Sequence, residues 1–106
     1  MNQKYITKSP VLLILFNRPE YFNQLINTLR DVRVSKLFIS IDAPRENNMV
    51  QDSKKISELL EMIKIKIDWD CEVKLKTNDK NLGCGDGPKS AISWFFNNVD
   101  RGIILE

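Results

Sequence analysis

The run GCGDGPKS, Gly83 to Ser90, is the stretch that most invites a chemical reading. It nearly fits G-x-x-x-x-G-K-[ST], the loop whose backbone N–H groups cradle a nucleotide phosphate, with Gly83, Lys89 and Ser90 in register. The second glycine position is Pro88, which has no N–H to offer, and Asp86 would put a negative charge inside the cradle. Several polar residues precede Gly83, whereas a P-loop springs directly from a strand. The spacing of Gly83, Gly85 and Gly87 is not G-x-G-x-x-G either. What survives is more general: glycines let backbone approach a ligand closely, and the helix that follows aims its N-terminus at the same place. Lys89, expected in the first turn of that helix, is misplaced for helix stability, because cations favour the C-terminal end. It could pair with a phosphate, or it could simply be solvated.

The chain contains no histidine, which removes imidazole-based triads. Cys71 and Cys84 stand apart from each other, so a zinc site is not expected. They read as reduced thiols, one buried and one in a loop. Other candidates come from position. Asn17 and Arg18 follow the apolar run VLLILF, Asp42 follows KLFISI, the polar loop Asn78 to Gly87 follows CEVKLK, and Glu106 follows the final GIIL. In an open α/β sheet these are the carboxyl ends of strands, where ligands bind. Strand ends are polar in most proteins, so each residue alone is weak, and the convergence carries the expectation.

The elements that must position these residues are legible. VLLILF and KLFISI are continuous apolar runs, as expected of strands covered on both faces. CEVKLK alternates apolar and charged residues and should lie half exposed near an edge. Ile103, Ile104 and Leu105 form a short strand expected inside the sheet, after a turn at Gly102. Between the strands, apolar residues recur at helical spacing: Tyr21, Phe22, Leu25, Ile26 and Leu29, then Ile56, Leu59, Leu60, Ile63 and Ile67, then Ala91, Ile92, Phe95, Phe96 and Val99. Pro19 suits the first turn of the first helix. The third helix is expected near Pro88, after a long loop, with Phe95 and Phe96 on its core face and Trp94 off it. The βαβαβαβ order predicts an α/β fold with a mostly parallel sheet, helices on both faces and right-handed crossovers.

Composition narrows the class. The 106 residues are one domain's worth, 42% hydrophobic and 28% charged, an ordinary globular balance. A net charge of +2, with lysines spread along the chain, gives no reason to expect nucleic acid or an anionic membrane. No apolar run approaches the roughly 20 residues that span a bilayer. The N-terminal MNQKYITKSP has no apolar core of the signal-peptide kind. Together with the cysteines, these features point to the cytoplasm. A receiver-like regulatory module fits poorly, because the first strand ends in Asn17-Arg18 and the third in KTND, which is the wrong rim for phosphoacceptor chemistry.

Five segments in order, PVLLILFNRPE, FISIDAPR, IDWDCEV, NLGCG and AISWFFNNVDRGIILE, resemble the N-terminal half of a nucleotide-diphosphosugar transferase with the GT-A fold. They are similar to bacterial proteins labelled hemolytic-protein-like, and to the family 2 and N-acetylglucosaminyltransferase I-like glycosyltransferases. NLGC and GIILE are the most specific parts. The resemblance covers essentially residues 1–106 and implies a Rossmann-like nucleotide-binding half, transferring sugar from a UDP-type donor to an acceptor hydroxyl in the complete protein. It implies that GIILE is followed by two aspartates, a DxD-type motif holding Mn²⁺ or Mg²⁺, so the chain is expected to stop just before that motif. The acceptor half and catalytic base would then lie beyond residue 106, with no metal ligand in this chain and Glu106 adjacent to the expected site.

By position, the resemblance implies that Asn17 and Arg18 lie at the base and ribose end of the nucleotide pocket. Asp42 would accept hydrogen bonds from the uracil or ribose, Lys89 would approach the diphosphate, and Glu106 would sit near the ribose and the metal's water shell. Alone, the chain is expected to be inactive and to self-associate through an exposed strand edge. The alternative is a stand-alone, non-catalytic α/β nucleotide-binding or interaction module.

Overall fold

The computed structural model describes residues 8–106, so the N-terminal segment read for a signal peptide lies mostly outside the described residues. Four strands and three helices alternate: β1 (Val11–Leu15), α1 (Pro19–Asp31), β2 (Lys36–Ile41), α2 (Met49–Lys66), β3 (Glu72–Thr77), α3 (Gly83–Phe96) and β4 (Ile103–Leu105). A short 3₁₀ turn, Glu46–Asn48, leads into α2. The sheet runs β3-β2-β1-β4 with every pair parallel. This is the expected α/β architecture of Rossmann-like form.

The unbroken apolar runs of β1 and β2 exist because both of their faces are covered. Leu13, Leu15, Leu37, Ile39 and Ile41 point to one face, where Phe22, Ile26 and Leu29 of α1 and Leu59 and Ile63 of α2 meet them. Phe22, Ile26 and Leu29 recur at helical spacing, and burying each such side chain contributes roughly 1.5–3 kcal/mol. Leu12 and Phe38 point to the other face and pack on Ala91 and Phe95 of α3.

The third helix departs from expectation. It begins at Gly83, well before Pro88, so GCGDGP is helical rather than loop. The residues have poor helix propensity, and a tertiary contact at the helix start, described below, overrides it. On its face, Phe95 is fully buried but Phe96 is 43% exposed. Trp94 packs edge-on against Phe38, with ring centroids 5.3 Å apart, so it joins the core that Phe96 leaves.

The last strand also differs. β4 pairs only with β1 among the described residues, which makes it an edge rather than an interior strand. Gly102 before it is more than a turn residue. A Cβ there would lie 2.3 Å from Phe95 Cζ and 2.8 Å from the Pro10 carbonyl oxygen, so only glycine lets the chain pass between them. Among the described residues, no helix is long and apolar enough to cross a membrane.

Candidate functional site

From β1 the chain winds one way, through α1 to β2 and through α2 to β3. It then crosses by α3 to β4 on the other side of β1. The reversal between β1 and β4 is the topological switch point, where open α/β sheets bind ligands beyond their carboxyl ends. A pocket of about 580 Å³ opens there, on the α3 side of the sheet. Ile14, Phe16 and Ser40 form its floor, Cys84, Gly87 and Pro88 of α3 one wall, and Arg18, Tyr21, Arg45, Asn78, Asn81 and Glu106 its rim.

Three of the five expected site residues, Arg18, Asp42 and Glu106, line this pocket. Arg18 is exposed, with its guanidinium 5.2 Å from the centre of the Tyr21 ring. The Tyr21 hydroxyl donates to the main-chain carbonyl oxygen of Glu106, which ties the loop after β1 to the end of β4 across the switch point. Among the described residues, neither the Arg18 guanidinium nor the Glu106 carboxylate has an ion-pair partner.

Asp42 is in a different condition. Its Oδ1 accepts from the Ala43 N–H at 2.9 Å, the Asn78 amide at 3.0 Å and the Leu82 N–H at 2.9 Å. Its Oδ2 accepts from the Gly83 N–H at 2.9 Å and the Asn81 amide at 3.3 Å. Leu82 and Gly83 open α3, so Asp42 caps that helix from a neighbouring strand, as a local N-cap side chain would. This is the contact that starts the helix early. Burial pushes the Asp42 carboxyl up, but the hydrogen bonds from Asn78, Leu82, Gly83 and Ala43 outweigh it and leave the group below the ordinary carboxylate range. The charge that a helix N-terminus would offer a phosphate is here met by the protein's own aspartate. Gly87 belongs to the same junction, since a Cβ on it would sit 3.4 Å from Asp42 Oδ2.

Asn17 and Lys89 do not line the pocket. Lys89 is exposed in the second turn of α3, not its first. The Asn17 amide donates at 2.9 Å to Oδ1 of Asp52, a residue the sequence reading passed over. The Asp52 side chain is completely buried. It accepts from Arg45 Nε at 2.8 Å and a terminal Arg45 nitrogen at 3.0 Å, from the Arg45 N–H at 3.0 Å and from the Asn48 amide at 3.0 Å. The Arg45 contacts lead in holding the Asp52 carboxyl far below its ordinary range, against the opposing effect of burial. Arg45, thus anchored, lies with its guanidinium 5.5 Å from the centre of the Phe16 ring. A signal for Asp52 existed: it stands one helical turn before Ile56, on the apolar face of α2, where a carboxylate must have partners.

Cys71 is half-buried and Cys84 exposed at the start of α3, both unpaired. Burial, with Asp70 and Glu72 beside it, pushes the Cys71 thiol up to about 11, which makes it a poor nucleophile. Among the described residues, no three cysteine, aspartate or glutamate side chains converge so as to hold a metal ion. Asp42 and Glu106 are the carboxylates of the pocket lining, and Asp42 is already engaged, so these residues alone do not make a site for Mn²⁺ or Mg²⁺. Compared with known proteins, the chain matches no family model, no curated protein and no solved structure.

Proposed function

We propose that the pocket binds a nucleoside diphosphate of the UDP-sugar type, and that the chain is the donor-binding region of a glycosyltransferase. The observation that carries this reading is an arginine, Arg18, with no ion-pair partner among the described residues, beside the aromatic ring of Tyr21 at the switch point of a parallel sheet. A guanidinium there supplies charge and forked donors to a diphosphate. The Phe16 ring of the floor offers an apolar face to a base or ribose. Glu106 lies across the mouth as an acceptor for sugar or ribose hydroxyls. Asp42 acts in this reading by fixing the wall, because its oxygens are committed to α3.

Sugar transfer to an acceptor hydroxyl requires charge stabilisation of the leaving diphosphate and a base for the acceptor. The reading needs the metal ligands and that base to come from residues other than these, so the chain alone is expected to bind without turnover. A cytoplasmic location goes with it, supported by the two unpaired cysteines. The alternative, a non-catalytic nucleotide-binding module, is favoured by the engagement of both Asp42 oxygens.

Calorimetry with UDP, UDP-sugars, UMP and ATP tests the reading. Saturable binding of UDP or its sugars, stronger than UMP and weakened by Arg18→Ala, supports it. Heats indistinguishable from dilution for every nucleotide would end it, and equal binding of ATP would favour the alternative.

A further inference from the structure

The outer edge of β3 carries a pattern that the pocket does not use. Among the described residues, β3 pairs only with β2. The Glu72 N–H donates inward to the Ser35 carbonyl at 2.8 Å and the Asn78 N–H to the Ile41 carbonyl at 3.2 Å. Because successive residues of a strand turn their backbone groups to opposite sides, those of Cys71, Val73, Leu75 and Thr77 face outward. The side chains are bare as well: Val73 is 38% exposed and Leu75 46% exposed, on the sheet face that α1 and α2 cover elsewhere. Lysines on an edge strand ordinarily discourage pairing. Here two acids, Asp70 and Glu72, precede two lysines, Lys74 and Lys76, an order that a second copy running the other way can answer.

Two copies related by a two-fold axis would pair β3 antiparallel, and the centre of pairing can be tested residue by residue. Centred on Glu72, the two glutamates face each other; centred on Lys74, the two lysines do. Centred on Leu75, Lys74 faces Lys76. Centred on Val73, each Glu72 faces the other copy's Lys74 and each Asp70 faces the other copy's Lys76. Cys71 then faces Leu75, and Val73 faces itself, so the apolar residues share one face and the charges the other. Within one chain, Glu72 and Lys74 already lie 3.6 Å apart. The pairing thus closes an alternating four-charge group around the axis. It also places the outward backbone groups of Val73 directly opposite their copies, as a hydrogen-bonded antiparallel pair requires.

We infer that the chain forms a symmetric dimer by antiparallel pairing of β3 with β3, centred on Val73, to give one continuous eight-stranded sheet. The partner is a second copy of this chain. The inference does not depend on what the pocket binds.

Sedimentation at rising concentration, with circular dichroism to confirm folding of each variant, tests the dimer. The wild-type chain should show a monomer–dimer equilibrium. Lys74→Glu should weaken it by about tenfold or more, since two attractive pairs become repulsive. Adding Glu72→Lys to Lys74→Glu should restore it. The register is tested by oxidation in a Cys71→Ser, Cys84→Ser background. Hydrogen-bonded opposite residues have Cα atoms about 5.5 Å apart, within reach of a disulfide. Val73→Cys should therefore cross-link and Leu75→Cys should not. A monomer at every concentration, a dimer indifferent to Lys74→Glu, or cross-linking by Leu75→Cys in place of Val73→Cys would overturn the proposal.

Discussion

The carboxyl rim of the sheet treats its charges in two opposite ways. Beyond β2, Asp42 and Asp52 are saturated by the protein itself, one holding the start of α3 and the other clamping Arg45 and two asparagine amides. Beyond β1 and β4, Arg18 and Glu106 are exposed and make no ion pair among the described residues. A charge with its partners in place shapes the pocket walls; a charge without them is available to a ligand. Substitutions on the first side should therefore be read in stability, and those on the second in binding.

The hardest test of that division is Asp52→Ala. It strips the acceptor from Arg45, Asn17 and Asn48 at once and empties a fully buried side-chain position. Partly buried donors left without partners are costly, although the Arg45 side chain, 46% exposed, can turn to water. Thermal unfolding should show the largest loss of stability of this series, and the loops after β1 and β2 should loosen together. A midpoint close to wild type would mean that water reaches the three donors and that Asp52 does not organise the rim.

Asp42→Ala should rank second. Loss of a helix cap costs about 1–2 kcal/mol, which lowers the midpoint by roughly 4–8 °C per kcal/mol in a domain of this size. Amide exchange should accelerate at Leu82 and Gly83. The same bonds set an acid response. Both aspartates are held below the ordinary carboxylate range in the folded chain, so their stabilisation is fully present above about pH 4 and is lost as pH falls through their depressed values. Urea midpoints should be flat near neutrality and fall below about pH 4. Asp42→Asn should make that fall shallower, and an unchanged acid slope in this variant would show that Asp42 contributes nothing to it.

The division also marks what could be read in the sequence. The strands, the helix faces and the parallel order follow from apolar runs and helical spacing, which are local signals. So is the convergence of Arg18, Asp42 and Glu106 on one rim, because strand ends in such a sheet share a side. What escaped is tertiary. GCGDGP has the composition of a loop and is helical with its start held by Asp42, some 40 residues earlier, which accepts from the Leu82 and Gly83 N–H groups. Nothing local to Asn17 signals that its amide donates to Asp52, 35 residues later. Gly102 read as a turn, while its necessity comes from the Phe95 ring and the Pro10 carbonyl. Phe96 kept the helical spacing of a core residue beyond the place where the sheet could cover it.

On the open side, Arg18→Ala should leave the thermal midpoint within experimental scatter, as expected for an exposed residue whose contact is with one ring. Its effect belongs in nucleotide affinity, where loss of a charged hydrogen-bonding partner should weaken UDP by about tenfold. A stability loss with affinity intact would place Arg18 with the structural charges and reverse the comparison.

Tyr21→Phe probes the seam between the two sides and should have the smallest effect. The ring stays, and with it the face presented to Arg18; only the hydroxyl bond to the Glu106 main chain is lost. That bond is exposed, so its net contribution to stability should be about 0.5 kcal/mol. It is nonetheless the bond that spans the switch point, joining the loop after β1 to the end of the edge strand β4. Faster amide exchange in Ile103 to Leu105 than in the wild type, with β1 unchanged, would show that the hydroxyl holds the strand end in place. Exchange in β4 equal to that of the wild type would leave the strand held by its pairing with β1 alone, and Tyr21 would then serve the pocket through its ring.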